Sequence, residues 1–182
     1  MKKKSNALKW PTTDMTVKYV SFVGRSNSGK TTLITRLIPV LRDRNIKIGT
    51  IKHTHHAAEF DKAGKDSWRH RQAGSEQVVL HSQNQLVLYT DQPSKQSLAE
   101  TVERWFGEFD LVISEGFKNE AGLKIEVYRE STGKQPLYVD PEFDIQAIVS
   151  DTDPDTSITV FDFEELEALS DWIIKKTDLK PE

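Results

Sequence analysis

The amino-acid sequence predicts an α/β fold of three layers, in which a mostly parallel sheet lies between helices and carries a β-hairpin addition. Short β-branched runs alternate along the chain with segments of helical periodicity. Two of the runs, LVIS and IQAIVS, are almost continuously apolar, as strands covered on both faces require. The motif GRSNSGKT stands between the first apolar run and the first helical segment. Together these observations predict a P-loop NTPase-like domain.

The first third of the chain contains two predicted strands, each followed by a predicted helix. The run VKYVSFV indicates a strand at residues 17–23, and the pattern that includes LITRL indicates a helix at residues 30–44. A second apolar run indicates a strand at residues 46–52, and a second helix is predicted at residues 66–73. This alternation is typical of a parallel sheet, whose strands need crossover connections.

The middle of the chain interrupts that alternation with a predicted hairpin. The stretch VVLHSQNQLVLYT indicates two strands, residues 77–81 and 85–90, that turn at residues 82–84. A helix is predicted next, at residues 95–106, because its apolar residues recur at helical spacing. Those residues are Leu98, Val102, Trp105 and Phe106.

The last part of the chain returns to single strands. Apolar runs indicate strands at residues 110–114, 124–128, 145–150 and 157–161. The final helix is predicted at residues 163–176, where apolar residues again recur at helical spacing. The sequence therefore predicts enough parallel strands for one sheet, with the phosphate-binding motif directly after its first strand.

Composition and charge limit the classes of protein to which the chain can belong. With 182 residues, of which 36% are hydrophobic and 29% charged, we expect a single domain at residues 16–182 behind a flexible N-terminal tail of residues 1–15. A net charge of −3 argues against a general nucleic-acid or membrane-surface binder. The absence of cysteine excludes disulfides, thiolate metal sites and cysteine nucleophiles. No apolar segment follows the basic start MKKK, so we expect no signal peptide and a cytoplasmic protein.

Residues 24–31 match the pattern G-x-x-x-x-G-K-[ST] completely, with a predicted strand before them and a predicted helix after them. Glycines let the backbone turn tightly and direct N–H groups at a phosphate, and the helix N-terminus adds the positive end of its dipole. We expect Lys30 to reach the β- and γ-phosphates and the Thr31 hydroxyl to bind Mg²⁺. The predicted nucleotide-binding residues of this loop are Gly24, Arg25, Ser26, Asn27, Ser28, Gly29, Lys30, Thr31 and Thr32.

A phosphate-binding loop of this kind also needs a carboxylate for the metal, and Glu115 is the candidate. It ends the apolar run of FDLVISEG, and side chains at the carboxyl ends of parallel strands face the ligand crevice. Asp110 lies at the opposite end of the same run and is a poor candidate. We therefore predict that Glu115 binds Mg²⁺, directly or through a water, and acts with Lys30 in catalysis. The alternative is a glutamate that caps a helix or is merely solvated.

The histidine-rich stretch after the second predicted strand, IKHTHHAAEFDKAGKDSWRHRQAG, allows four interpretations. It could be a metal site, a catalytic acid–base cluster, a solvated loop, or a mobile segment that faces an anionic ligand. We favour the last, because residues after the second strand lie beside the γ-phosphate in P-loop proteins and the spacing fits no standard zinc pattern. The candidate ligand-facing residues are Lys52, His53, His55, His56, Lys65 and Arg69, and the candidate metal ligands are Asp61 and Asp66.

Several of these motifs occur together in a known family. GRSNSGKTTL, GTIKHTHH, GKDSWRHRQAG, DLVISEGFK and LKIEVYR stand here in the order in which similar motifs stand in the molybdopterin-guanine dinucleotide biosynthesis protein B (MobB) family. The sequence resembles that family over about residues 18–129. The resemblance implies a homodimer that binds GTP, hydrolyses it weakly, and assists the transferase that joins GMP to molybdopterin, with molybdopterin itself a further candidate ligand. The stretch HHAAEFDKAG departs from the family pattern, so the resemblance does not assign a role to Asp61.

Guanine is predicted mainly by this resemblance, because the usual guanine-reading motif N-K-x-D is absent from the sequence. Asp151 and Asp153 follow the run IQAIVS at the strand end where a base reader is expected. A carboxylate there can accept the two neighbouring N–H donors that guanine presents and adenine lacks. An ordinary acidic turn before Pro154 is the alternative.

Two other functions on the same scaffold stay open: a small-metabolite kinase or ligase, and a metallochaperone GTPase. The second half of the chain has only Arg104 and Arg129, which weighs against the arginine-rich lid of a kinase. The missing cysteines weigh against a metallochaperone. No motif places an arginine or glutamine to orient the attacking water, with Arg25 the one candidate, so we expect slow hydrolysis by the protein alone. Whether it is an enzyme is left open by the sequence.

Overall fold

The computed structural model describes residues 17–54, 60–91 and 96–180. These residues belong to two compact units. The first unit contains the chain up to His53 and from Ser97 onward, and the second is Thr54–Gln96. The tail predicted at residues 1–15 lies outside the described residues, and the single domain at 16–182 stays a prediction. Across the described ranges, no helix is both long enough and apolar enough to cross a membrane.

The helices and strands follow the predicted order throughout. In chain order they are β1 (Lys18–Val23), α1 (Lys30–Arg42), β2 (Ile48–Lys52), α2 (Asp66–Gln72), β3 (Gln77–His81), β4 (Leu86–Thr90), α3 (Leu98–Trp105), β5 (Leu111–Glu115), β6 (Leu123–Tyr128), β7 (Ala147–Ser150), β8 (Thr159–Phe161) and α4 (Leu166–Thr177). Two short 3₁₀ turns, Glu130–Thr132 and Pro141–Phe143, lie between β6 and β7.

The first unit is a three-layer α/β structure around one sheet. Its strands all run parallel, in the order β2-β5-β1-β6-β7-β8. One face packs against α1 and α4, with Phe22 of β1 and Leu37 of α1 in the same buried cluster. The other face packs against α3, where Leu98 and Val102 meet Val112 of β5. Because the strands are parallel, their carboxyl ends form one edge, which is where ligands bind in such sheets.

The α3 face of the central strands carries polar groups that are nevertheless buried. The Ser114 hydroxyl donates to the Ser21 hydroxyl at 2.7 Å. The two carboxylate oxygens of Glu126 accept the backbone N–H groups of Leu137 and Tyr138, each at 2.7 Å. Burial raises the pKa of the Glu126 carboxyl, against the lowering effect of the two backbone donors and of a nearby positive charge. Glu126 thus fastens the segment after β6 to the middle of the sheet.

The second unit contains α2 and the antiparallel hairpin formed by β3 and β4. Asp61 is almost fully buried and accepts a 2.8 Å hydrogen bond from the Ser67 hydroxyl in the first turn of α2. Arg71 lies 4.0 Å from the other Asp61 oxygen and also over the Tyr89 ring of β4. Asp61, one of the two carboxylates that the sequence offered as metal ligands, therefore stabilises this unit internally.

The predicted boundaries are accurate to within three residues. The helix predicted from residue 95 begins at Leu98, because the Ser97 hydroxyl and the Glu100 side chain form a reciprocal capping box. The last helix begins at Leu166 and not at residue 163, because residues 162–165 form a turn in which Asp162 accepts the Glu164 N–H. Phe163, in that turn, packs into the core cluster instead.

Candidate nucleotide-binding site

The motif loop joins β1 to α1 and turns in the way that its glycines allow. Gly24 has φ +140° and Gly29 has φ +94°, and a Cβ on Gly24 would lie 2.4 Å from the Val127 carbonyl oxygen of β6. Asn27 also adopts a positive φ of 68°, as asparagine does more readily than most residues. No side chain other than hydrogen therefore fits at residue 24 without moving the loop away from the sheet.

The loop ends at the beginning of α1, and that end of the helix is suited to an anion. Gly29 stands at the N-cap position and supplies no side-chain cap. The first backbone N–H groups of a helix have no partner within the helix, and they carry the positive end of its dipole. Gly29, Lys30, Thr31 and Thr32 thus contribute the backbone donors that a phosphate group requires.

The Lys30 side chain folds back over the loop. Its Nζ donates to the carbonyl oxygens of Arg25 at 2.7 Å and Gly24 at 3.1 Å, and approaches the Ser28 hydroxyl at 3.4 Å. Burial lowers the pKa of the Lys30 ammonium, while the Glu115 carboxylate acts in the opposite direction. The structure thus holds this cation inside the phosphate-binding loop, close to Glu115.

Glu115 and Thr31 meet as the sequence predicts for a metal site. The Thr31 hydroxyl donates to Glu115 Oε2 at 2.8 Å, although the two residues lie 84 positions apart. Glu115 ends β5, and its side chain is only 16% exposed. A carboxylate beside a hydroxyl suits Mg²⁺, which takes one or two protein oxygens and completes its shell with phosphate and water. The donor set therefore fits the predicted metal.

Lys52 is a further member of this cluster. Its Nζ lies 3.0 Å from Glu115 Oε1 and 3.4 Å from the Thr31 hydroxyl. The sequence indicated Lys52 only as one of several basic residues facing a ligand. Its pairing with Glu115 follows from the sheet order, because β2 lies beside β5 and Lys52 is in register with Glu115. No local pattern in the sequence reveals that neighbour.

His53 follows Lys52 at the same edge of the sheet. Its backbone N–H donates to the Glu115 carbonyl at 2.9 Å, and its ring lies 4.7 Å from the Phe117 ring. Phe117 has a φ of +60°, which is rare for an aromatic residue and often marks a functional site. The predicted residues His55 and His56 lie outside the described residues.

The remaining predicted ligands in the histidine-rich stretch belong to the second unit. Asp66 and Arg69 are both highly exposed on α2, 4.0 Å apart, and Lys65 immediately precedes that helix. Their contact with a nucleotide or metal stays a prediction. Among the residues that the structure describes, no group of three or more histidine, aspartate and glutamate side chains is placed to hold a metal ion.

The two candidate base readers differ in their surroundings. Asp151, directly after β7, accepts the Glu130 N–H at 3.1 Å and lies 3.5 Å from Arg129. Asp153 is exposed, and in the described part of the chain its carboxylate has no hydrogen bond or ion pair. Of the two, Asp153 has its carboxylate available to a base, while Asp151 holds the segment after β6.

Two arginines flank the loop on the β6 side. Arg25, the predicted candidate for assisting hydrolysis, donates from Nε to the Gln135 carbonyl at 3.1 Å. Arg129, which sequence reasoning did not select, follows β6 and stacks its guanidinium on the Phe163 ring at 3.8 Å from the ring centroid. A Cβ on Gly29 would lie 3.2 Å from Arg129 Nε, so this guanidinium borders the phosphate-binding loop. The only signal in the sequence was its place at the end of the motif LKIEVYR.

Comparison with known proteins gives one consistent family. The family model described as "Molybdopterin guanine dinucleotide synthesis protein B" matches residues 19–151. A molybdopterin-guanine dinucleotide biosynthesis adapter protein of Escherichia coli K12 is 35% identical over 164 residues, which are 87% of this chain and 93% of the relative. A protein of the same description from Haemophilus influenzae is 37% identical over 160 residues, 86% of this chain and 88% of the relative.

Solved structures agree with the sequence comparison. A crystal structure of molybdopterin-guanine biosynthesis protein B superimposes with a TM-score of 0.70 at 31% identity and covers 87% of this chain and 99% of its own. Bacillus subtilis MobB has the same fold, with a TM-score of 0.68 at 23% identity over 91% of this chain and 99% of its own. The expected P-loop NTPase-like architecture is therefore confirmed. This chain belongs to the molybdopterin guanine dinucleotide synthesis protein B family.

Proposed function

We propose that this protein binds GTP with Mg²⁺ at the loop after β1 and acts as an adapter in molybdenum cofactor maturation, assisting the transferase that attaches GMP to molybdopterin. The observation that carries the nucleotide part is the contact between Thr31 and Glu115 beside a complete phosphate-binding loop. The relatives' description as adapter proteins in molybdopterin-guanine dinucleotide biosynthesis carries the pathway part.

Different groups at the loop are expected to bind different parts of a nucleoside triphosphate. The first N–H groups of α1 bind phosphate oxygens, and Lys30 neutralises the β- and γ-phosphates. Thr31 and Glu115 would hold Mg²⁺, which would supply positive charge to neutralise the phosphates. Lys52, paired with Glu115 at 3.0 Å, adds a second positive charge on the γ-phosphate side of the loop.

Hydrolysis by the isolated protein should be slow, because no arginine or glutamine side chain of the described structure hydrogen-bonds to Glu115 or Thr31. Arg25 is engaged with the Gln135 carbonyl, and Arg129 borders the loop on its other side. An arginine finger contributes about 10³–10⁵ in rate to related reactions. A protein that lacks this contribution suits an adapter better than a metabolic enzyme, whose median turnover is about 10 per second.

Selection of guanine is assigned to Asp153. Its exposed carboxylate at the end of β7 is able to accept both N–H donors of a guanine edge. Asp151 stabilises this region by accepting a hydrogen bond from the backbone N–H of Glu130. Adenine offers a carboxylate no second neighbouring donor, so a preference for GTP over ATP should depend on Asp153.

We further propose that the protein is a cytoplasmic homodimer and that the hairpin takes part in the contact between copies. Val79 and Leu86 are 49% and 64% exposed, and the hairpin register places both on one face of the two strands. A two-stranded sheet is only marginally stable by itself and presents open strand edges. The same face of a second copy would cover Val79 and Leu86 in an isologous contact.

A reconstituted guanylyl-transfer assay tests the proposal. The transferase, molybdopterin and GTP are mixed with Mg²⁺ in the presence and absence of this protein, and molybdopterin guanine dinucleotide is quantified. We expect the protein to increase the yield or rate, and the Lys30→Met variant to lose this effect. An equal yield with and without the wild-type protein would contradict the adapter function.

A further inference from the structure

The guanidinium of Arg129 lies at the phosphate-binding loop, and one of its edges has no partner among the described residues. Nη1 is directed to the Asp151 carboxylate at 3.5 Å, and Cζ lies 3.8 Å from the centroid of the Phe163 ring. The other edge, Nε and Nη2, faces Gly29, whose Cβ position would be 3.2 Å and 3.8 Å from these atoms. Within the described residues, Nε and Nη2 make no hydrogen bond to protein.

Three neighbouring strand ends build this arrangement. Arg129 follows β6, Asp151 follows β7, and Phe163 comes two residues after β8, so the parallel sheet brings all three to one edge. Phe163 is buried in the core, which makes it a rigid support for the guanidinium. An arginine held by stacking and by a carboxylate loses little freedom when it binds a phosphate with its remaining edge.

The order of the strands determines which part of a nucleotide Arg129 can reach. β1 and its loop lie between β5, which carries Glu115, and β6, which leads to Arg129. Thr31 and Glu115 would hold the Mg²⁺ that accompanies the β- and γ-phosphates, so the γ end of the nucleotide would lie on the Glu115 side. The α-phosphate and the nucleoside must then leave the loop on the side of β6 and β7. Arg129 stands on that side of β1, whereas Glu115 stands on the other.

We propose that the Nε–Nη2 edge of Arg129 binds the α-phosphate of the nucleotide, with Phe163 as its support and Asp151 as its anchor. The proposal rests on the nucleotide binding put forward above and adds a specific ligand group to it. Arg129 is thereby a binding residue for the part of GTP that becomes GMP, and it differs from an arginine finger, which acts on the γ-phosphate. The side-on edge of a guanidinium offers two parallel N–H groups that match two phosphate oxygens.

The test compares guanine nucleotides of different length. Calorimetric or competition titrations with GTP, GDP and GMP in Mg²⁺ measure the affinity of the wild-type protein and of Arg129→Ala. A charge-assisted contact of this type corresponds to a loss of about tenfold to a hundredfold. We expect the same loss for all three nucleotides, because each contains the α-phosphate. A loss confined to GTP would place Arg129 at the γ-phosphate and overturn the proposal.

Phosphorothioate nucleotides give a second measurement that does not depend on weak GMP binding. Replacing one non-bridging α-oxygen of GTP by sulfur weakens a hydrogen bond to that oxygen. One of the two diastereomers should bind the wild-type protein more weakly than GTP, and Arg129→Ala should abolish most of that difference. If the wild type and Arg129→Ala show the same difference for both diastereomers, Arg129 does not contact the α-phosphate.

Matched variants separate binding from structure. Arg129→Lys keeps the charge but loses the paired donors, and we expect it to recover only part of the affinity. Arg36→Ala also removes an arginine near Phe163, because Arg36 pairs with Glu164 through bonds of 3.0 and 2.5 Å, and it should bind all three nucleotides normally. Thermal unfolding identifies any variant that has lost its fold. A folded Arg129→Ala protein with unchanged affinity, against a wild type that binds GTP, would refute this inference alone, whereas a wild type that binds no guanine nucleotide would refute the proposed function as well.

Discussion

Replacing Lys30 by methionine should separate nucleotide binding from folding. The Lys30 ammonium is half-buried in the loop, and burial lowers its pKa, so the folded protein meets a cost for keeping this charge. A group whose pKa is lowered on folding destabilises the fold at any pH at which it is charged, and methionine removes that charge with little change in shape. Its bonds to the Gly24 and Arg25 carbonyls compensate part of the cost. We therefore expect nearly unchanged stability.

The same substitution should strongly weaken nucleotide binding. A hydrogen bond between charged groups contributes about 1.5–3 kcal/mol, and about 1.4 kcal/mol corresponds to a factor of ten. The affinity for GTP should thus fall about tenfold to a hundredfold, as measured by calorimetry, while urea unfolding reports an unfolding free energy within about 1 kcal/mol of the wild type. A folded Lys30→Met protein that binds GTP with wild-type affinity would refute the assignment of this loop.

Three further predictions concern other parts of the molecule. Glu115→Gln keeps the shape but removes the charge, so the gain in GTP affinity on adding Mg²⁺ should fall at least about tenfold, and an unchanged Mg²⁺ dependence would exclude Glu115 as the metal ligand. Burial raises the pKa of Glu126, so the stabilisation that it provides is fully present below its unfolded pKa and declines as pH rises through the folded one. Thermal unfolding across this pH range should show wild type losing stability relative to Glu126→Gln as pH rises, and the opposite slope would be inconsistent with the buried carboxyl. Leu86→Asp on the exposed hairpin should shift the protein from dimer to monomer in analytical ultracentrifugation, and a dimer of unchanged affinity would exclude this surface from the interface.

The helices and strands, the phosphate-binding loop and Glu115 could be predicted from the sequence, because all of them depend on local patterns. The loop that ends in Lys30 and Thr31 is contiguous, and its turn requires glycine at fixed positions. Glu115 could be predicted as the site carboxylate because it is the last residue of an apolar strand, and such strand ends face the crevice of a parallel sheet. These assignments needed no knowledge of which strands are neighbours.

The partners of those residues could not be predicted, because they depend on strand order and on side-chain packing. Lys52 meets Glu115 only because β2 pairs with β5. Arg129 reaches the loop only because β6 lies next to β1 and Phe163 supports the guanidinium from the turn before α4. The sequence offers Asp61 as a candidate metal ligand. Its buried hydrogen bond with Ser67, within the second unit, depends on side-chain packing that no local pattern reveals.

The most direct test of the central claim is a calorimetric titration of nucleotide-free wild-type protein with GTP and with ATP in the presence of Mg²⁺. We predict one GTP bound per chain, with a higher affinity than ATP, and a preference that disappears when Asp153 is replaced by asparagine. Binding of ATP as tightly as GTP would contradict the assignment of a guanine nucleotide and favour a kinase or ligase on the same scaffold. Absence of binding by either nucleotide would contradict the account of the site altogether.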